Sequence, residues 1–166
     1  MVELPFSRPI PSSVINGRRV TITKAELRSQ RKLTHDTFEI KVACSGKGDL
    51  VGASSGQFAT LLFPGLSRPR PYSFARDPVL EAEGQYTFYI RLVPGGKAST
   101  WISNQDRTGT VVEMAGPLGN FGLDDSTNTI LCIGGGSGIS AIKALVEKAC
   151  RLQVKRDCLF FYGART

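Results

Sequence analysis

From Arg18 onward, apolar and polar residues alternate with a period of two, the side-chain spacing of an extended strand. Val20 and Ile22 mark a first strand, Phe38, Ile40 and Val42 a second, and the denser run Phe58-Ala59-Thr60-Leu61-Leu62-Phe63 a third. Tyr72 and Phe74 mark a fourth, Tyr86 to Leu92 a fifth, and Thr110 to Met114 a sixth. Turn-forming clusters separate them, including Cys44 to Gly56 with its serines and glycines and Asp77 to Gly84 with its proline. One short helical segment is predicted around Ala98 to Ser103. Six strands at this spacing predict a small antiparallel barrel over residues 18–123. Residues 1–17 carry Pro5, Pro9 and Pro11 with several serines and no periodicity, and read as an arm or linker.

The pattern changes after the polar run Asp124 to Asn128. Thr129-Ile130-Leu131-Cys132-Ile133 is a short continuous apolar strand of the kind buried on both faces of a parallel sheet. A glycine run follows at once. Ser140 to Leu152 then places Ile142, Leu145, Val146 and Ala149 at helical spacing, with Lys148 and Arg151 near the end where cations suit the macrodipole. Cys158 to Tyr162 reads as the next parallel strand. Residues 129–166 are therefore expected to form the first βαβ unit of a nucleotide-binding sheet that is incomplete at Thr166, and the fold class is a barrel followed by an α/β unit.

Composition narrows the function classes. A chain of 166 residues with 41% hydrophobic positions can build a real core, and no apolar run approaches the ~20 residues of a membrane span. The start of the chain lacks the order of a signal peptide, so the default compartment is the cytoplasm. The excess of 21 basic over 14 acidic residues, a net charge of +7, favours anionic partners such as a dinucleotide or an acidic redox protein. The basic residues are spread along the chain without a recognition-helix, RNP-like or zinc-finger pattern, which argues against nucleic acid. Cys44, Cys132, Cys150 and Cys158 lack CxxC or iron–sulfur spacing and read as buried thiols, not metal ligands. His35 stands alone and reads as a loop residue.

Three stretches carry candidate chemistry. In Arg70-Pro71-Tyr72-Ser73 the prolines stiffen an extended run and remove backbone donors, presenting a guanidinium, a phenol and a hydroxyl on a fixed track. The guanidinium can fork onto phosphate, the ring can stack on a planar ligand, and the hydroxyl can donate to a ring nitrogen. A Pro-rich turn on a basic surface is the alternative. In Gly134-Gly135-Gly136-Ser137-Gly138-Ile139-Ser140-Ala141 the residues from Gly136 fit G-x-G-x-x-A between a strand and a helix, the context in which backbone N–H groups meet a pyrophosphate. A tight turn without a ligand is the alternative here. No acidic residue follows the second strand; Arg165 stands near that position, where an arginine favours a 2′-phosphate. The third stretch, Pro94-Gly95-Gly96-Lys97-Ala98-Ser99-Thr100-Trp101, repeats that logic, with a helix N-cap by Ser99 or Thr100 as the plainer reading. Alternation in the preceding strand sets Tyr89 and Arg91 opposite Phe88 and Ile90, and the Arg91 face is expected to meet ligand.

Together with Gly116-Pro117-Leu118-Gly119-Asn120-Phe121 and Phe161-Tyr162-Gly163-Ala164-Arg165, these motifs occur in the order seen in the ferredoxin–NADP reductase superfamily. From about Arg18 onward the chain resembles the reductase components of bacterial aromatic-ring dioxygenases, of the benzoate dioxygenase reductase type. The resemblance implies an FAD-binding barrel followed by an NAD(P)-binding domain. Hydride from NADH or NADPH would pass to FAD, and electrons would pass singly to an iron–sulfur or oxygenase partner. It implies that Arg70 holds a flavin phosphate, that Tyr72 packs on the isoalloxazine and that Ser73 hydrogen-bonds near N5, Tyr72 and Ser73 being the residues nearest the chemistry. Pro71, Tyr89, Ile90 and Arg91 join the cofactor-binding set. Gly95, Gly96, Lys97, Ala98, Ser99 and Thr100 would meet the pyrophosphate, and Gly135, Gly136, Ser137 and Gly138 would line the nicotinamide's approach. The family's usual proline near Ala141, its longer nucleotide domain and the iron–sulfur domain of the nearest relatives are missing from this sequence. A fragment of a longer reductase is the expectation, with a non-catalytic flavin-binding electron-transfer or regulatory subunit as the alternative.

Overall fold

A computed structural model describes residues 20–44 and 50–164, together with the backbone of a two-residue pairing, Val14–Ile15 with Arg18–Arg19. The rest of the expected arm, Arg165 and Thr166 lie outside the described residues. Six strands form one antiparallel sheet: β1 (Thr21–Lys32), β2 (Thr37–Cys44), β3 (Phe58–Leu62), β4 (Arg70–Ser73), β5 (Gln85–Arg91) and β6 (Val111–Leu118). Helix α1 (Lys97–Ser103) lies between β5 and β6. The strand order is β4-β3-β6-β1-β2-β5, and an antiparallel bridge between Phe74, just past β4, and Phe88 of β5 closes the sheet on itself. The six strands and short helix read from the period-two pattern are all present.

Twelve-residue β1 serves two neighbours. Thr21 to Glu26 pair with β6 and Ala25 to Lys32 pair with β2, with a register shift between Leu27 and Ser29. Extra residues of this kind increase local twist and help a short sheet curl into a barrel. Alternate side chains then fill the interior: Leu27, Ile40, Val42, Leu61, Phe63, Phe74, Phe88, Ile90 and Met114 are all essentially buried. Phe74 stacks obliquely on Phe88 and Tyr86, with ring centroids 5.6 and 5.4 Å apart. Ala98 and Ile102 of α1 plug one end of this core.

Three more elements follow the barrel: β7 (Ile130–Gly135), α2 (Ile139–Arg151) and β8 (Cys158–Gly163). β7 and β8 are parallel, Cys158 opposite Ile130 through Gly163 opposite Gly135, so the βαβ unit is as expected. Helix α2 buries Ile142, Ala144 and Leu145. At Gly134 an added Cβ would lie 2.8 Å from the Ile142 Cδ1, so the glycine lets the Ile142 side chain pack directly on the strand.

Two expectations are corrected. β7 is not buried on both faces: Leu131 and Ile133, with Leu159 and Phe161 beside them, are exposed, because among the described residues the single helix covers one face of the pair. The cysteines are not uniformly buried either. Cys132 is, Cys44 is half-buried, and Cys150 near the end of α2 and Cys158 on β8 are exposed.

Replacing Phe88, which is 0% exposed in the barrel core, by alanine is expected to destabilise the fold by about 3–5 kcal/mol. Leu159→Ala on the open strand should stay within about 0.5 kcal/mol. Urea denaturation of the two variants beside the parent distinguishes these outcomes.

Candidate functional site

β4 presents the first motif much as its sequence dictates. Arg70 and Pro71 are exposed, while Tyr72 and Ser73 are half-buried. Arg70 donates only to the neighbouring Pro69 carbonyl, at 3.2 Å, and is otherwise free to reach outward. Neither the Tyr72 phenol nor the Ser73 hydroxyl has a hydrogen-bond partner among the described residues. Burial pushes the Tyr72 phenol up to about 12, against a smaller pull downward from the Arg70 charge. The ring is therefore neutral at any working pH.

Phe63 joins β4 to α1. Its ring lies 6.3 Å from Tyr72 and stacks on Trp101 at 4.9 Å, and the Arg107 guanidinium sits 4.2 Å from the Trp101 ring centroid. The loop ahead of α1 turns at Gly95, which has φ +72 and open space where a side chain would be, an arrangement that favours glycine. Gly96 is the N-cap, without a side-chain cap. The plainer reading of Ser99 or Thr100 as the cap is thereby corrected. Ser99 lies one turn too far along, and its hydroxyl is folded back on the loop, accepting from the Val93 N–H and donating to the Gly96 carbonyl, each at 3.1 Å. The N–H groups of Lys97, Ala98 and Ser99 precede the first intrahelical bond, Thr100 N–H to the Gly96 carbonyl, and have no acceptor in the helix. Ala98 and Ser99 side chains are buried, so these two can offer only backbone, whereas Lys97 is exposed and Thr100 half-buried.

On β5, alternation is as expected: Phe88 and Ile90 point into the core, and Tyr89 and Arg91 point out. Ile90 can contribute only its main chain to a ligand. Arg91 Nε donates to Asp36 Oδ2 at 2.8 Å, an ion pair that the sequence reading missed because Asp36 sits in the unpatterned turn between β1 and β2. The Arg91 guanidinium, helped by Thr37 and Thr34, holds the Asp36 carboxyl down to about 2. His35 is exposed beside it, as a loop residue should be.

The second glycine run lies across from this face. Gly136, with φ +51, opens a single 3-10 turn to Gly138, and Gly138 leads into α2 without a side-chain cap. The Tyr162 hydroxyl donates to the Gly136 carbonyl at 3.3 Å, and the Ser140 hydroxyl to the Ser137 carbonyl at 2.6 Å. Gly135, Gly136 and Ser137 share a cleft of about 560 Å³ with Tyr89, Arg91 and Asp36. The structure thus brings two of the sequence-read groups, the Arg91 face and the glycine turn, to one cavity. The other two, β4 and the Gly95 segment, flank the Phe63 cluster. A guanidinium bonded only to its neighbour's carbonyl, helix-start N–H groups and a glycine in open space are each the kind of donor that a diphosphate takes, and a half-buried phenol is the kind of face that a planar ring stacks on.

A family model described as the oxidoreductase FAD-binding domain matches residues 24–122. The chain is 36% identical over 143 residues to the xylene/toluene monooxygenase electron transfer component XylA of Pseudomonas putida, covering 86% of this chain and 39% of that protein. It is 31% identical over 169 residues to the ferredoxin–NAD(P)(+) reductase component of the naphthalene 1,2-dioxygenase system of Pseudomonas putida, covering 99% and 47%. Among solved structures, the ferredoxin reductase in carbazole 1,9a-dioxygenase superposes with a TM-score of 0.77 at 30% identity, over 89% of this chain and 44% of that one. The chain spans less than half the length of these relatives.

The Asp36–Arg91 pair has a direct titration signature. Because the folded pKa lies below the ordinary value of about 3.9, the pair's stabilisation is complete above pH 4 and lost as pH falls toward 2. Carboxyl-carbon NMR should place the Asp36 midpoint near 2 in the parent and move it back toward about 3.9 in Arg91→Ala. An unmoved midpoint would show that Arg91 is not the cause.

Proposed function

The chain belongs to the oxidoreductase FAD-binding domain family, and we propose that it forms the flavin-holding part of an NAD(P)H-dependent reductase. Hydride from NADH or NADPH would pass to FAD, and electrons would then pass singly to an iron–sulfur or oxygenase partner. The relatives' names, a reductase component and an electron transfer component of oxygenase systems, support that direction of flow. The observation that carries the reading is convergence on β5. The β4 track adjoins this strand through the Phe74–Phe88 bridge, the Gly95 segment continues from it, and the second glycine turn faces its outward side chains.

Bound FAD supplies the conversion of a two-electron donor into single electrons, and the chain's own residues supply position. Arg70 and the backbone of Gly95 to Thr100, including Lys97 and Ala98, hold the pyrophosphate. Pro71 keeps the track extended, Tyr72 offers a neutral ring face to the isoalloxazine, and Ser73 donates its hydroxyl near N5. The main chain of Ile90 and the outward Tyr89 and Arg91 border the ring. Gly135, Gly136, Ser137 and Gly138 leave room for nicotinamide to approach closely. Residues 18–123 form the flavin-binding unit and the nucleotide-binding unit begins at 129, the polar 124–128 stretch lying between. No acid–base pair is required, since these residues act by holding two flat rings in near-contact and excluding water.

Reconstituted with FAD, the chain should absorb in the visible and be bleached anaerobically by NADH or NADPH; a protein that stays colourless would sink the reading. Arg70→Ala removes a charge-assisted contact to phosphate and should weaken FAD binding about 10- to 100-fold in a fluorescence-quenching titration. Unchanged affinity would take Arg70 out of the site.

A further inference from the structure

Helix α2 begins at the glycine turn and carries three charged residues one turn apart on one face, Lys143, Glu147 and Arg151. Between them they engage one short segment of the barrel, Ala75 to Asp77, separated from the Arg70–Ser73 track by Phe74 alone. Lys143 Nζ donates to the Ala75 carbonyl at 3.2 Å. Glu147 Oε2 accepts from the Asp77 N–H at 2.9 Å, while its Oε1 takes the Lys143 ammonium at 2.5 Å. Arg151 Nε donates to Asp77 Oδ2 at 2.7 Å, and Asp77, 1% exposed, also accepts from the Val79 N–H. Arg76 lies 3.9 Å from the same Glu147 carboxylate, and Glu147 acts electrostatically on Tyr89, whose phenol is pushed up mainly by burial and further by Glu39 and Glu147.

Two of the three rungs read backbone groups, which cannot swing aside as side chains can. They lock the helix in register with the barrel main chain. One end of the ladder sits two residues beyond Ser73, and its helix leads back to Gly136–Gly138. The ladder is therefore a rigid link between the two segments that must meet. We infer that Glu147, with Asp77 and Arg151, is a positioning residue that sets the gap between the β4 ring face and the glycine turn, and hence the approach of the nicotinamide to the flavin. The inference rests on the reductase reading above. None of the three touches ligand; each acts through the placement of α2.

The test uses Glu147→Ala and Glu147→Gln in the full chain, because the glutamine amide oxygen can still accept the Asp77 N–H while an alanine cannot. Without cofactor, native-state hydrogen exchange should show the Asp77 amide protected in the parent and in Glu147→Gln, and exchanging at least about tenfold faster in Glu147→Ala. With FAD bound, affinity should match the parent in both variants. Flavin reduction at saturating nicotinamide should slow about 10- to 100-fold in Glu147→Ala, with partial or full recovery in Glu147→Gln. If Glu147→Ala does not fold, Arg151→Gln, which removes the charged rung to the Asp77 carboxylate, takes its place, with the same slowing of flavin reduction expected and a parental rate in the folded variant overturning the role. Reduction as fast as the parent in a folded variant with an exposed Asp77 amide overturns the positioning role and leaves the reductase reading standing. A parent chain that takes up no FAD overturns that reading, and this one with it.

Discussion

The barrel cannot zip fully between β4 and β5, and the candidate site depends on that constraint. Pro69 and Pro71 have no N–H to give, so the Arg70–Ser73 run cannot build a regular ladder on its second side. Its pairing is with β3 alone, Pro71 standing opposite Thr60. Contact with β5 is confined to the residues just beyond, where Phe74 bridges Phe88 and the Ala75 N–H donates to the Thr87 carbonyl at 2.8 Å. The barrel closes at one end of this gap through buried aromatics and stays open at the other. A strand interrupted by prolines at an edge is usually a defence against unwanted pairing. In this chain it also leaves a guanidinium, a phenol and a hydroxyl on an accessible, stiff rim.

The two halves of the molecule are held by different physics. The barrel is held by the non-directional burial of Phe63, Phe74, Phe88 and their neighbours, which tolerates small shifts. The βαβ unit meets it also through directional contacts: the ladder at residues 75–77 and, elsewhere on α2, Lys148 donating to the Ser54 hydroxyl at 3.0 Å. Gly56 adds a steric limit, since a Cβ there would fall 3.3 Å from Leu145 Cδ2 of α2. Directional contacts with short reach define one relative placement more narrowly than apolar packing does.

Much of this was legible in the sequence because it is local. Period two located all six barrel strands, and Gly134 to Ala141 announced a strand–turn–helix. The outward facing of Tyr89 and Arg91 followed from parity alone. What could not be read was long-range and polar. Asp36 joins Arg91 across 55 positions, and Glu147 joins Asp77 across 70, and no spacing rule encodes such pairs. Ser99 misled for the opposite reason. A serine near a helix start suggests a cap, but Gly95 and Gly96 let the helix begin earlier, and the hydroxyl instead braces the loop. Apolar residues in β7 and β8 predicted burial, which depends on neighbours a local pattern does not contain.

The open face of the β7–β8 pair sets where a further layer can be added. Leu159 to Tyr162 form a run of four apolar or aromatic residues, without proline, glycine or charge, on a strand with an unpaired edge among the described residues. An apolar strand of this kind accepts a parallel neighbour at its edge and a covering helix on its bare face, as α/β sheets do. The barrel offers no comparable place, because its interior is already filled by Leu27, Phe74, Phe88 and Met114. Growth of this architecture is therefore directional, confined to the β8 side.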